Sequence, residues 1–139
     1  MFYDQVKIKE INSPDEYEQA HEVIVNEFPA HEGIDLLEQY EWILIATKKS
    51  NVIGVITANK YIPKKALLCY IVVEEKYSSR GIDIRLMKEM AVHLKERGYT
   101  HMLGDKPSLE HELDISIPDL EQMEGVLRVR EERNKKNKS

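Results

Sequence analysis

The residues best suited to chemistry lie in one stretch, Leu67-Leu68-Cys69-Tyr70-Ile71-Val72-Val73-Glu74-Glu75-Lys76-Tyr77-Ser78-Ser79-Arg80-Gly81-Ile82-Asp83-Ile84-Arg85-Leu86-Met87. An apolar, β-branched run gives way to a short polar loop, and a helical pattern begins at a glycine. Such a junction aims several unpaired backbone N–H groups at one point, at the positive end of a helix dipole. Phosphate oxygens suit that place. Ser78, Ser79 and Arg80 would add donors there, and Gly81 would let the backbone approach closely. On spacing alone the same residues also describe an ordinary strand-to-helix turn.

Other reactive types are less organised. His101 and His111 flank Asp105 and Glu110 without a recognised ligand spacing, so no metal site is expected. Cys69, the lone cysteine, falls mid-strand and is expected to be a packed core residue. It has no partner for an internal disulfide, which fits a cytoplasmic protein. The start of the chain shows no signal-peptide pattern. Twenty basic against twenty-five acidic residues leave a net charge of −5. Neither a nucleic acid nor a membrane is therefore an expected partner, and a polyanionic ligand would need a local cluster of donors. With 42% hydrophobic and 32% charged residues in 139, the chain has enough apolar surface for one core and one domain.

The elements that must position the loop follow from periodicity. Val6–Ile11 nearly alternates, as a half-buried strand does. Ser13 as N-cap and Pro14 at the first position open a helix with Tyr17, Ala20, Val23, Ile24 and Phe28 on one face, stopped by Pro29. A short helix is expected over Ile34–Tyr40. Trp42–Thr47 and Val52–Ala58 read as a hairpin, with Gly54 marking a bulge or a close backbone approach. Ala66–Glu74 is a third strand. A helix from Gly81 turns Ile82, Leu86, Met90 and Leu94 inward and ends at Gly98. Tyr99–Gly104, reached through that crossover helix, should run parallel to the strand before it. Leu113, Ile115 and Ile117 suggest a short strand. Pro118–Arg133 suggests a helix with Leu120, Met123 and Leu127 inward. The expected organisation is one domain over 1–133 with a disordered basic tail over 134–139. The fold class is α+β, a single mixed, mainly antiparallel sheet with flanking helices and one parallel strand-helix-strand unit.

The run Val73-x-x-x-Tyr77-Ser78-Ser79-Arg80-Gly81-Ile82-Asp83-x-x-Leu86-Met87 resembles the acetyl-CoA motif of the GNAT-type N-acetyltransferase superfamily. Members there often read V-x-P-x-Y-R-G-R-G-I-G-x-x-L-L, with a core of Gln/Arg-x-x-Gly-x-Gly/Ala. The element order resembles that family over residues 6–104. The resemblance implies that Ile71, Val72 and Val73 present backbone groups to the pantetheine arm. It implies that the amides of Ser78, Ser79, Arg80, Gly81, Ile82 and Asp83 hold the pyrophosphate of acetyl-CoA. It also implies a bulge that opens the strand away from its parallel neighbour. The implied function is acetyl transfer to an unidentified amine by direct attack on the thioester, which releases CoA. The alternative is a degenerate domain of the same fold, acting as a CoA-binding regulatory or protein-interaction module.

Three departures from the pattern favour that alternative. Ser78 stands where the family usually has Arg or Gln. Asp83 stands where it usually has Gly or Ala, and a carboxylate about 4 Å from a phosphate repels it by roughly 1 kcal/mol in water. Arg80 and Arg85 would offset part of this, and Asp83 would also suit the first helical turn. Residues 105–116 contain no tyrosine to protonate a departing thiolate, Ser108 and His111 being the nearest substitutes by position. Little length is left for the family's final hairpin. An exposed edge on Tyr99–Gly104 would then recruit a second copy, giving a homodimer. Glu27, Glu32 and Glu74 are candidate bases, with nothing in the sequence to choose among them. Lys60, Lys64 and Lys65 are candidates for the coenzyme's 3′-phosphate, although a solvated loop is the simpler account.

Overall fold

The structure, a computed structural model, describes residues 6–29, 37–78, 80–104 and 114–118. Six strands form one sheet in sequence order: β1 (Val6–Glu10), β2 (Trp42–Lys48), β3 (Asn51–Ile62), β4 (Lys65–Val73), β5 (His101–Gly104) and β6 (Asp114–Ser116). All neighbours are antiparallel except β4 and β5, which the crossover helix makes parallel as expected. Helix α1 (Pro14–Glu27) covers one face and α2 (Ile82–Lys95) the other. This is the expected α+β architecture. No helix among the described residues is long and apolar enough to cross a membrane.

Each helix starts where its sequence says. Ser13 Oγ accepts the N–H of Glu16 at 3.1 Å, and the Glu16 carboxylate accepts the N–H of Asn12 at 3.0 Å. Such reciprocal bonding satisfies two donors at the start of α1. At the end of α2, Tyr99 N–H reaches the Leu94 carbonyl and Gly98 N–H the Lys95 carbonyl, a Schellman closure. The apolar stripes then divide cleanly. Ile82, Leu86, Met87, Met90 and Leu94 pack on Leu44, Ile56, Leu68 and Ile71. Ala20, Val23 and Ile24 pack on Ile45, Val55, Tyr70 and Val72. Phe28 and Tyr40 both meet the Tyr70 ring edge-on, at 5.3 and 5.8 Å.

Several expectations shift. β3 runs four residues past Ala58, to Ile62, because Asn59, Lys60 and Ile62 still pair with β4 up to the turn at Pro63. Proline has no N–H to continue a ladder. Of the expected 34–40 helix, residues 37–40 are described, and only Leu37–Gln39 form a 3₁₀ turn. The outer edge of β5 is paired by β6, His101 opposite Ser116, so that edge does not offer the sheet-completing contact expected to drive a homodimer. Of the helix expected over 118–133 only Pro118 is described; the rest, with the tail 134–139, lies outside the described residues.

Two irregularities shape the middle of the sheet. Ala46 lies opposite Gly54 but Thr47 opposite Val52, so β3 carries one extra residue there. A Cβ on Gly54 would sit 3.2 Å from Leu86 Cδ1 and 3.3 Å from the Val72 carbonyl oxygen. Gly54 thus marks both the bulge and the close approach that its type suggested. In β4, Thr57 faces Tyr70 while Ala58 faces Leu68, leaving Cys69 as the extra residue. Cys69 and Tyr70 consequently both turn toward α1, whereas Leu68 and Ile71 turn toward α2. Cys69 is a buried core residue, as expected.

Candidate functional site

The bulge at Cys69 decides what the end of β4 can do. Among the described residues, pairing between β4 and β5 covers Lys65 to Leu68. The orientation of the remaining backbone follows from two hydrogen bonds. Tyr70 N–H donates to Thr57 Oγ1 at 3.0 Å and Glu74 N–H to the Ile53 carbonyl at 2.8 Å, both on β3. Backbone groups alternate edges along a strand, so Val72 also faces β3. Ile71 and Val73 turn their N–H and C=O to the opposite edge, where no described strand pairs with them.

Past Val73 the chain makes a 3₁₀ turn at Glu75–Tyr77 and enters α2. Gly81 is the N-cap with φ 77°, a residue with no side chain to cap the helix. A Cβ at Gly81 would meet nothing within 4 Å. Its backbone angle, rather than crowding, is what calls for glycine. The first i to i−4 bond of the helix runs from Arg85 N–H to the Gly81 carbonyl. The amides before it, those of Gly81, Ile82 and Asp83, lie in the first turn, ahead of that bond.

The other motif residues divide sharply. Ser78 directs both its N–H and its hydroxyl to the Glu75 carbonyl, at 3.1 and 2.8 Å, closing the 3₁₀ turn. Ser79 lies outside the described residues. Ile82 buries its side chain under α2 and offers only its amide. Asp83 folds its carboxylate back on the helix, Oδ1 accepting the Ile84 N–H at 2.7 Å. The protein's own carboxylate therefore takes one of the donors at this helix start. Arg85, expected to offset it, donates instead to the Val6 carbonyl at 3.1 Å, tying α2 to β1. Arg80 lies over the Tyr77 ring, 5.7 Å from its centroid.

A cleft of about 600 Å³ opens beside this corner on the α1 side. Its walls are Val23, Asn26 and Glu27 from the end of α1, and Val72 through Lys76 from the end of β4. Two of the three candidate bases, Glu27 and Glu74, thus meet across one cleft; Glu32 lies outside the described residues. Asn26 and Glu75 had no signal in the sequence, because only the packing of α1 against β4 brings them there. The remaining candidates are elsewhere. Lys64 and Lys65 sit at the start of β4, about 26 Å from Val73 at 3.3 Å per residue. Lys60 pairs with Glu41 at 3.6 Å. Ser108, His111, Asp105 and Glu110 lie outside the described residues, among which no three His, Cys, Asp or Glu side chains converge to hold a metal.

Residues 6–111 match the sequence model of the Acetyltransferase (GNAT) family. The chain belongs to the GNAT family. No curated protein matches its sequence. Solved structures share the fold at low identity. Ard1 from Thermoplasma volcanium aligns with a TM-score of 0.62 at 20% identity, over 72% of this chain and 70% of that one. An aminoglycoside 6′-N-acetyltransferase complexed with coenzyme A aligns at 0.67 and 20%, over 76% of this chain and 64% of that one. YhbS, a GNAT family N-acetyltransferase from Escherichia coli in complex with CoA, aligns at 0.61 and 20%, over 72% and 62%. The chain thus spans just under two thirds of the length of the latter two. In this GNAT chain the end of β4, the start of α2 and the carboxylate-lined cleft all lie at one end of the sheet.

Proposed function

We propose that this GNAT chain is an acetyl-CoA-dependent N-acetyltransferase acting on a soluble amine. The observation that carries this reading is the bulge at Cys69. It leaves the Ile71 and Val73 backbone groups unpaired by any described strand, on the strand that leads into the N-terminus of α2.

Acetyl-CoA supplies an acyl group already activated as a thioester, so no residue need act as nucleophile. The residues fit it as follows. Ile71 and Val73 would hydrogen-bond the pantetheine arm, and an N–H there would stabilise the carbonyl oxygen as charge builds on it. The amides of Gly81, Ile82 and Asp83, with Arg80, would hold the diphosphate; Ser78, its donors engaged by Glu75, would contribute by closing the preceding turn. Glu74 continues the Tyr70 and Val72 face toward α1, so it and Glu27 would receive the proton that the attacking amine loses. The amine nitrogen bonds to the carbonyl carbon, the C–S bond breaks, and the thiolate takes up a proton to leave as CoA. Three carboxylates along the cleft, Glu27, Glu74 and Glu75, would favour a cationic acceptor. The lone buried Cys69 fits a cytoplasmic setting.

Asp83 supports a second reading, a CoA-fold module that binds the coenzyme weakly and works by interaction. Its carboxylate already occupies the Ile84 amide and would repel a phosphate. Isothermal titration separates the two. Micromolar binding of acetyl-CoA with CoA release in the presence of amines supports the transferase, and no heat at millimolar coenzyme favours the module.

A further inference from the structure

On the side away from β6 the sheet ends at β1, whose side chains and backbone show what its outer edge offers. Val6 and Ile8 pack on the α2 face, and Glu10 meets His93 of α2 at 3.8 Å. Backbone groups alternate edges along a strand. Lys7 and Lys9 turn theirs to Thr47 and Ile45 of β2, so Val6, Ile8 and Glu10 turn N–H and C=O away from the sheet. Arg85 Nη2 takes the outward Val6 carbonyl at 3.1 Å. No described residue bonds the outward groups of Ile8 and Glu10. Such an edge is a template for another strand. The guanidinium is a second, independent observation. Arg85 Nη1 is buried with no hydrogen-bond partner, and no described carboxylate pairs with the group. An enclosed charge without a counter-ion is costly, and an arriving carboxylate relieves it. The Arg85 side chain as a whole is only half-buried, so its charge can be met from the edge.

A second copy of β1 supplies both the strand and the carboxylate. We propose that two chains pair β1 with β1, antiparallel about a twofold axis at Ile8, and so join their sheets into one. Ile8 then faces the partner's Ile8, and Val6 faces the partner's Glu10, each pair exchanging both backbone bonds. Residues opposite one another share a face of the sheet. The partner's Glu10 therefore arrives on the α2 side, beside the carbonyl that Arg85 holds, and gives the guanidinium its counter-charge. Symmetry repeats that ion pair. On the other face Lys7 comes opposite the partner's Lys9, whose charge Glu16 already matches. The contact is short, so the dimer forms and parts with concentration. It needs no coenzyme and stands apart from the transferase reading.

Sedimentation velocity of the intact chain, from micromolar to millimolar concentration, should show the mass rise from monomer toward dimer. Glu10→Lys should raise the dimer dissociation constant about thirtyfold, because two ion pairs are lost together. Arg85→Glu should do the same, and Glu10→Lys combined with Arg85→Glu should restore association. Glu10 is exposed, so its variant decides the matter even where Arg85→Glu does not fold. Hydrogen exchange gives a readout specific to the edge: on dilution the Ile8 and Glu10 amides should exchange faster, while those of Lys7 and Lys9 stay protected. A monomer at every concentration overturns the proposal. So does a dimer that Glu10→Lys leaves intact, or one in which the Ile8 and Glu10 amides exchange as freely as in the monomer.

Discussion

At Asp83 two demands meet on one side chain. An acid in the first turn of α2 suits the helix dipole, and its Oδ1 satisfies the Ile84 N–H. The same charge opposes a phosphate brought to the neighbouring amides. Asp83→Gly should therefore tighten acetyl-CoA binding about fivefold, following the roughly 1 kcal/mol of repulsion in water. Asp83→Asn, which removes the charge but keeps an acceptor, should recover most of that gain. Unchanged affinity in both variants would remove the repulsion argument. Proton transfer gives a second test at this scale. Glu74→Gln should lower kcat about a hundredfold, within the usual range for a general base, with activity partly restored as pH rises and the amine deprotonates unaided. A Glu74→Gln enzyme of full activity would exclude that role. The sequence showed which residue types were present, and even that Asp83 was unusual. It could not show that this carboxylate folds back onto its own helix, or that Glu27 and Glu74 share a cleft, because both depend on rotamer and packing.

Helix ends were the most legible elements, since each is written in a few adjacent residues. Ser13, Pro14 and Glu16 mark the start of α1, and Ser13→Ala should cost about 1 kcal/mol in urea denaturation. An unchanged midpoint would mean that water replaces the cap without loss. Strand lengths were less legible. β3 continues through Asn59–Ile62 only because β4 is there to pair with, and that pairing lies outside any local pattern. The tight turn before β3 places Lys49 and Ser50 at φ 50° and 70°, which their types do not announce. Bulges fall between these cases. Gly54 signalled one by being a glycine in a strand, while the bulge at Cys69 was reached only through family resemblance. Gly54→Ala tests how tightly β3, β4 and α2 meet. A methyl 3.3 Å from the Val72 carbonyl cannot be absorbed by a rotamer change alone, so a loss of roughly 1–3 kcal/mol is expected. Because the strain falls on Val72 and Val73, coenzyme affinity should drop as well; a stable variant of normal affinity would show the sheet to be more compliant.

For the whole molecule, acid should loosen the seam between β1 and its neighbouring helices. Burial, then the Arg97 charge, holds the His93 pKa below its ordinary 6.5, while Glu10 and Glu96 pull the other way. Glu16 is held below its ordinary 4.5 by its hydrogen bond to Lys9 and by the Asn12 N–H. Both groups bind fewer protons folded than unfolded, so the stability they contribute is complete above those ordinary values and is lost as pH falls through the folded ones. Urea midpoints should therefore decline as pH drops below about 6.5, and His93→Gln should flatten the first part of that decline. An identical slope in the variant would place the effect elsewhere. The same global view explains why the candidate site could be recognised but not assembled from sequence. The motif named its loop, while the packing of α1 against β4, which opens the cleft beside it, exists only in the folded protein. The most direct measurement follows backbone amide resonances of isotope-labelled protein during titration with acetyl-CoA. The account predicts shifts at Ile71, Val73, Gly81, Ile82 and Asp83, with the hairpin around Lys64 unmoved. Saturable binding that leaves those five amides in place and moves others would contradict it.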